Sequence, residues 1–150
     1  MRFLQLHMTT TISTQTQTVS LLRRFGVILY DLVLLISVIF VAAFIPVILF
    51  NIKYGDPFFF LFQIYIFLVS YLFYAWFWTR SGQTLGMRTW KVKVVNEDGS
   101  NINWTRALIR YLLAIVSALI FGLGFFWSLW DREHRTWYDM FSKTKLIKVE

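Results

Sequence analysis

Long uncharged apolar runs dominate the pattern along this chain. The first runs from Leu32 to Phe50, 19 residues, and reaches back to Phe25 if Asp31 is accepted inside it. The second covers Phe58 to Thr79, 22 residues, and the third Tyr111 to Trp130, 20 residues. About 20 mostly apolar residues cross a bilayer as a helix, whereas helices of soluble domains average about 11–12. The pattern predicts helix 1 over about 22–50, helix 2 over about 58–79 and a third apolar segment over about 105–130. Asn51-Ile52-Lys53-Tyr54-Gly55-Asp56-Pro57 reads as the polar turn between the first two, with Asp56-Pro57 starting the second. Tyr71, Tyr74, Trp76 and Trp78 crowd one end of helix 2, and Trp127 and Trp130 one end of the third run, as an interfacial aromatic belt does.

Between these runs the periodicity changes. Thr89 to Val95 alternates, with Trp90, Val92 and Val94 on one face and Thr89, Lys91 and Lys93 on the other. This is a strand signal, closed by the turn residues Asn96 to Ser100 within a strand or hairpin region over 88–103. Lys145 to Val149 is the other clear strand candidate. A lone strand is unstable, so about 89–95 is expected to pair with about 145–149. The expectation is an all-α membrane protein carrying a small β element, organised as one membrane domain over 21–150 that closes with a block over 131–150. Residues 1–20 precede it as a polar arm, whose Thr9–Thr18 tract, TTTISTQTQT, has little to bury and is expected to be disordered. The first long apolar run lacks a small-residue cleavage pattern, so helix 1 is read as a retained anchor rather than a signal peptide.

Composition agrees. Apolar residues make up 57% of the chain and charged residues 15%, too few to cover a soluble globule of this size. Cysteine is absent, which excludes disulfides and thiolate chemistry. The net charge is nonetheless +7, and its distribution carries topology. Three basic residues precede helix 1, one (Lys53) lies in the first loop, six lie in the 80–110 segment and five in the tail from Asp131. The positive-inside rule sets the N-terminus and the 80–110 segment in the cytoplasm. Three straight spans would then expel the basic tail and separate the two strand candidates. Gly122-Leu123-Gly124 interrupts the third run, which either enters and returns on one side, or lies along the interface, or crosses straight. The basic residues flanking the spans suit anionic headgroups at the cytoplasmic face and do not suit nucleic acid.

Asp31 is the charge most in need of a reason. It lies seven residues, about 10 Å of helix, after Arg24 and on nearly the same face. An ionisable group inside a span costs roughly 2.5–3.5 kcal/mol and normally faces a partner or a water-filled path. Arg24 either reaches toward Asp31 or sits at the headgroups while Asp31 meets another segment. A carboxylate at this depth is able to exchange protons; equally, it can simply pin helices together. In the tail, Asp131, Glu133, His134, Arg135 and Asp139 cluster, and Asp139 is expected to pair with arginines of the 80–110 segment, of which Arg88, Arg106 and Arg110 are the candidates. The only other histidine, His7, lies in the arm, so no metal site is expected. With no phosphate loop, catalytic triad or H-E-x-x-H pattern, neither an enzyme nor a cofactor is expected.

Arg23-Arg24-Phe25-Gly26-Val27-Ile28-Leu29-Tyr30-Asp31 resembles the opening of the RDD family of small bacterial membrane proteins, named for one arginine and two aspartates. Gln83 to Val95 resembles that family's "TLGKR…VRVV" block, Asn103 to Arg110 its basic entry to the last helical region, and Asp131 to Val149 its closing block. The resemblance covers about residues 20–149 and implies that Arg24, Asp31 and Asp139 are the three eponymous residues. Tyr138 stands where the closing block often has His, and Lys143 where it has Gly. The family implies a bacterial inner-membrane location and a role in transport, sodium–proton antiport in some members. It also occurs attached to other modules, which suits an interaction role. Two readings follow: transport assistance through Asp31, needing a homo-oligomer or a partner membrane protein in so small a chain, or an assembly module whose Arg and Asp residues are structural ion pairs.

Overall fold

The computed structural model describes residues 18–149. Most of the expected arm, residues 1–17, lies outside them, as does residue 150. The arm reading extends too far toward helix 1. Val19 is buried in the core, and the Ser20 hydroxyl accepts from the Arg23 amide to cap the first helix.

Two long helices form a hairpin, α1 over Leu21–Phe50 and α2 over Phe59–Arg80. Both are long and apolar enough to cross a membrane. Only Arg24, Val27 and Asp31 of α1 are buried, one face of its first turns, and from Leu32 to Phe50 no α1 side chain is buried within the chain. That surface is stable only in an apolar solvent. Pro46 sits inside α1 and has no N–H to offer the carbonyl of Ala42. Tyr65 of α2 satisfies that carbonyl instead, its hydroxyl donating at 3.1 Å. The α1 helix ends at Asn51 in a left-handed conformation (φ 47°), and the Asp56 carboxylate accepts from the Lys53 amide at 2.6 Å to close the turn.

The rest of the chain packs against the Ser20 end of α1 and the Arg80 end of α2. A short helix α3, Leu85–Thr89, follows α2 and leads to β1, Val92–Asn96. The strand expected from Thr89 therefore starts later. Thr84 caps α3 by accepting from the Met87 amide at 3.1 Å, and the backbone turns at Lys91 (φ 53°) before extending. The 88–103 region holds only one strand, whose antiparallel partner is β2, Thr144–Lys148, with Val92 opposite Lys148 and Asn96 opposite Thr144. Val92, Val94 and Val95 of β1 are buried, Val92 and Val94 within the core.

The third apolar segment is not one straight helix. It forms α4, Trp104–Leu119, then α5, Leu123–Phe126, and a 3-10 turn, Trp127–Leu129, with the two parts bent by 105°. Phe121 and Gly122 take positive φ at the break, one position earlier than the Gly-Leu-Gly reading implies. Gly124 beyond the bend packs so tightly that a Cβ would lie 2.6 Å from the Ser117 hydroxyl. Along α4, Trp104, Leu108, Leu112, Val116 and Leu119 form an exposed apolar face, while Ala107, Arg110, Tyr111 and Ser117 point inward. The helix is thus turned inside out relative to a soluble one. Tyr111 packs on Phe67 and Tyr71 of α2 and hydrogen-bonds Ser70. After the bend, α6, Trp137–Phe141, returns to α4 and leads into β2.

Candidate functional site

Asp139 stands where α1, α4 and α6 converge. The sequence Thr136-Trp137-Tyr138-Asp139 is a capping box: the Thr136 hydroxyl accepts from the Asp139 amide at 3.4 Å, and the Asp139 carboxylate accepts from the Thr136 amide at 3.2 Å. This local device fixes the carboxylate on a buried helix start. Its Oδ2 then meets Arg24 Nη1 at 2.7 Å, and its Oδ1 pairs with Arg110 Nη1. Arg24, Arg110 and Asp139 are 4%, 3% and 0% exposed. Arg24 also donates to the His134 carbonyl at 2.9 Å and Arg110 to the Thr144 hydroxyl at 3.0 Å. The Arg110 guanidinium lies 5.3 Å from the Trp78 ring centre and 5.0 Å from that of Tyr138, so aromatic faces cover the charge. Burial alone would push the Asp139 carboxyl up, but Arg110 and Arg24 together hold it below the usual carboxylate range. Burial, and then the Asp139 charge, push the Tyr138 hydroxyl up.

Asp31 is satisfied differently. It is 2% exposed, and its carboxylate accepts from the Thr84 hydroxyl at 2.5 Å and from the Gly86 amide at 2.9 Å. The side chain thus holds the first turn of α3 against α1. Gly86 makes the approach possible, because a Cβ there would lie 2.7 Å from Asp31 Oδ1 and 2.9 Å from the Val27 carbonyl oxygen. Among the described residues Asp31 forms no ion pair. Of the two alternatives for Asp31, contact with Arg24 is not made and contact with another segment is. The shared helix face brings both side chains inward, but Arg24 turns to α6 and Asp31 to α3.

Of the secondary candidates, Arg110 joins the Asp139 node. Arg106 does not: its guanidinium lies 3.5 Å from the Lys143 carbonyl. Arg88 is exposed. Asp131 pairs within the tail with Arg135, Nε to Oδ2 3.1 Å, and the hydrogen bonds from Arg135 hold its carboxyl below the usual range. Among the described residues no three His, Cys, Asp or Glu side chains converge as metal ligands would. Sequence reasoning missed Thr84, Gly86, Thr136 and Thr144. The T-x-x-D spacing of Thr136 and Asp139 was a readable cap signal, whereas nothing local tied Thr84 and Gly86 to residue 31.

The sequence model of the RDD family matches residues 18–143, most of the chain. The chain belongs to the RDD family. Its three eponymous residues, on the assignment the motifs imply, do not form one cluster in this RDD protein. Arg24 and Asp139 make a buried ion pair with Arg110, and Asp31 makes a separate joint with α3. Family membership and two long apolar helices together mark a membrane protein. No curated protein and no solved structure matches the chain.

Proposed function

We propose that this RDD protein is a non-transporting assembly module of the bacterial cytoplasmic membrane, its charged residues serving to lock a cap onto a two-helix hairpin. One observation carries the reading: every eponymous side chain is already committed inside the chain. Asp139 has both oxygens on arginines, and Asp31 has both on Thr84 and Gly86. A carrier carboxylate has to trade partners with water or a cation, whereas these two are closed off from solvent. The faces of α1 and α2 left uncovered are available to lipid and to a second copy or a partner membrane protein. No bond-making step is assigned. The topology proposed with it has a cytoplasmic N-terminus, two crossings, and a third segment that enters and returns, so that both strands and the basic tail share the cytoplasmic side. The pairing of β1 with β2 and the 105° bend support that path.

A second reading is favoured by one observation. Asp31, unlike Asp139, is a buried carboxylate with no basic partner among the described residues. Such a group is suited to taking up a proton or small cation, which would make the chain part of an oligomeric exchanger. The full chain reconstituted in vesicles, with cation–proton exchange followed by an internal pH dye, separates the two. Wild-type vesicles are expected to show no exchange above empty vesicles. Exchange in the wild type that disappears in normally accumulating Asp31→Asn overturns the assembly reading.

A further inference from the structure

The node around Asp139 is unbalanced. Two guanidiniums, each more than nine-tenths buried, share one carboxylate. Buried charge is costly unless it is matched, and a single removed partner leaves a large penalty. The Nε atoms of both Arg24 and Arg110 also lack a hydrogen-bond partner among the described residues. The nearby carboxylates pair elsewhere, and with Lys145 of the adjoining cavity wall four cations (Arg24, Arg110, Arg135 and Lys145) stand against three carboxylates (Asp139, Asp131 and Glu133). Asp131 and Glu133 both lie against Arg135, at 3.1 and 3.3 Å. Residues 1–17, which lead into Thr18, contain no Asp or Glu at all.

A cavity of about 270 Å³ opens beside this node. Arg24 forms part of its wall, together with Thr18, Arg135, Lys145 and Glu133. Three of these are basic and one acidic. Lys145 makes no ion pair or side-chain hydrogen bond among the described residues, and Glu133, 69% exposed, lies at the solvent side. The space is large enough for a tetrahedral oxyanion. We infer that this cavity binds a phosphate group, which offsets the excess positive charge that Arg24, Arg135 and Lys145 bring to its wall. Arg135 and Lys145 contribute charge-assisted hydrogen bonds to its oxygens, and the Thr18 hydroxyl a neutral one. Glu133 opposes the anion and moves away from it. The phosphate comes either from an anionic lipid headgroup or from a free phosphate compound. The inference goes beyond the assembly role and stands whether or not Asp31 exchanges a cation.

The test uses the purified full chain and two probes, inorganic phosphate and phosphatidylglycerol in a neutral phosphatidylcholine background, with thermal unfolding as the readout of binding. At least one probe is expected to raise the unfolding temperature. Loss of one charge-assisted contact in Lys145→Gln weakens binding about tenfold or more, Lys145→Arg restores it, and Glu133→Gln tightens it. Arg132→Gln removes a neighbouring surface charge outside the cavity and leaves binding unchanged. Stabilisation by phosphatidylglycerol alone assigns the site to a headgroup, and stabilisation by inorganic phosphate assigns it to a free phosphate. No stabilisation by either probe, or equal weakening by Lys145→Gln and Arg132→Gln, overturns the inference.

Discussion

Asp139 and Asp31 have almost no solvent exposure, yet different chemistry holds each. Asp139 is saturated by two guanidiniums and its own capping box, so removing its charge strands two buried arginines. Asp139→Asn is expected to cost about 3–5 kcal/mol, the range for breaking a buried pair from one side, read as a fall in unfolding temperature of the detergent-solubilised chain. The pH dependence has a definite sign. The folded carboxyl lies below its ordinary value of 3.8, so the unfolded chain binds the proton more readily. The Asp139 contribution is complete above about pH 4 and is lost as pH falls through the lower folded value. Unfolding followed from pH 7 to pH 3 should show this loss only at the acid end, and in Asp139→Asn that acid loss should shrink. Asp31 depends on geometry rather than countercharge. In Gly86→Ala the new methyl meets Asp31 and the Val27 carbonyl. Overpacking of this kind costs typically 1–3 kcal/mol, and the measured unfolding temperature should fall accordingly.

At the scale of elements, the helices use unequal means. The α1 helix keeps Pro46 in its interior because Tyr65 takes over the carbonyl that the proline cannot serve. Tyr65→Phe should therefore loosen the α1–α2 pair by about 0.5–1.5 kcal/mol, the range for hydrogen bonds between membrane helices, with no change in the cap. Reversible unfolding in bicelles measures it. The α4 helix shows what the apolar run by itself conceals. Its length suggested a span, but its period separates an apolar outer face from an inner face with Arg110 and Ser117. A helix that buries a guanidinium against the cap is tied to the end of the hairpin. The strand region misled for a related reason. Alternation from Thr89 to Val95 is a local signal, whereas the Thr84 cap and the Asp31 contact draw residues 85–89 into a helical turn first.

Taken whole, the molecule is a two-helix hairpin with a cap at one end, and the cap joins chain segments from before and after the bent third segment. A reporter fused after Glu150 is expected to give the same side as one fused before Met1, and opposite sides would overturn the two-crossing topology. The length and position of the apolar runs, the polar turn at 51–57, the pairing of about 89–95 with about 145–149 (92–96 with 144–148 in the fold), and the family itself were all legible in the sequence. These depend on run length, periodicity and composition, properties that a short window of residues carries. The partner of each charge was not legible. Arg24 and Asp31 share a helix face seven residues apart, and spacing alone made a contact between them plausible. Arg24 instead reaches a carboxylate 115 residues away, and Asp31 a hydroxyl 53 residues away. Only tertiary structure decides such matches, because a buried charge takes whichever donor or acceptor the packing of distant segments delivers, and no local period encodes that delivery.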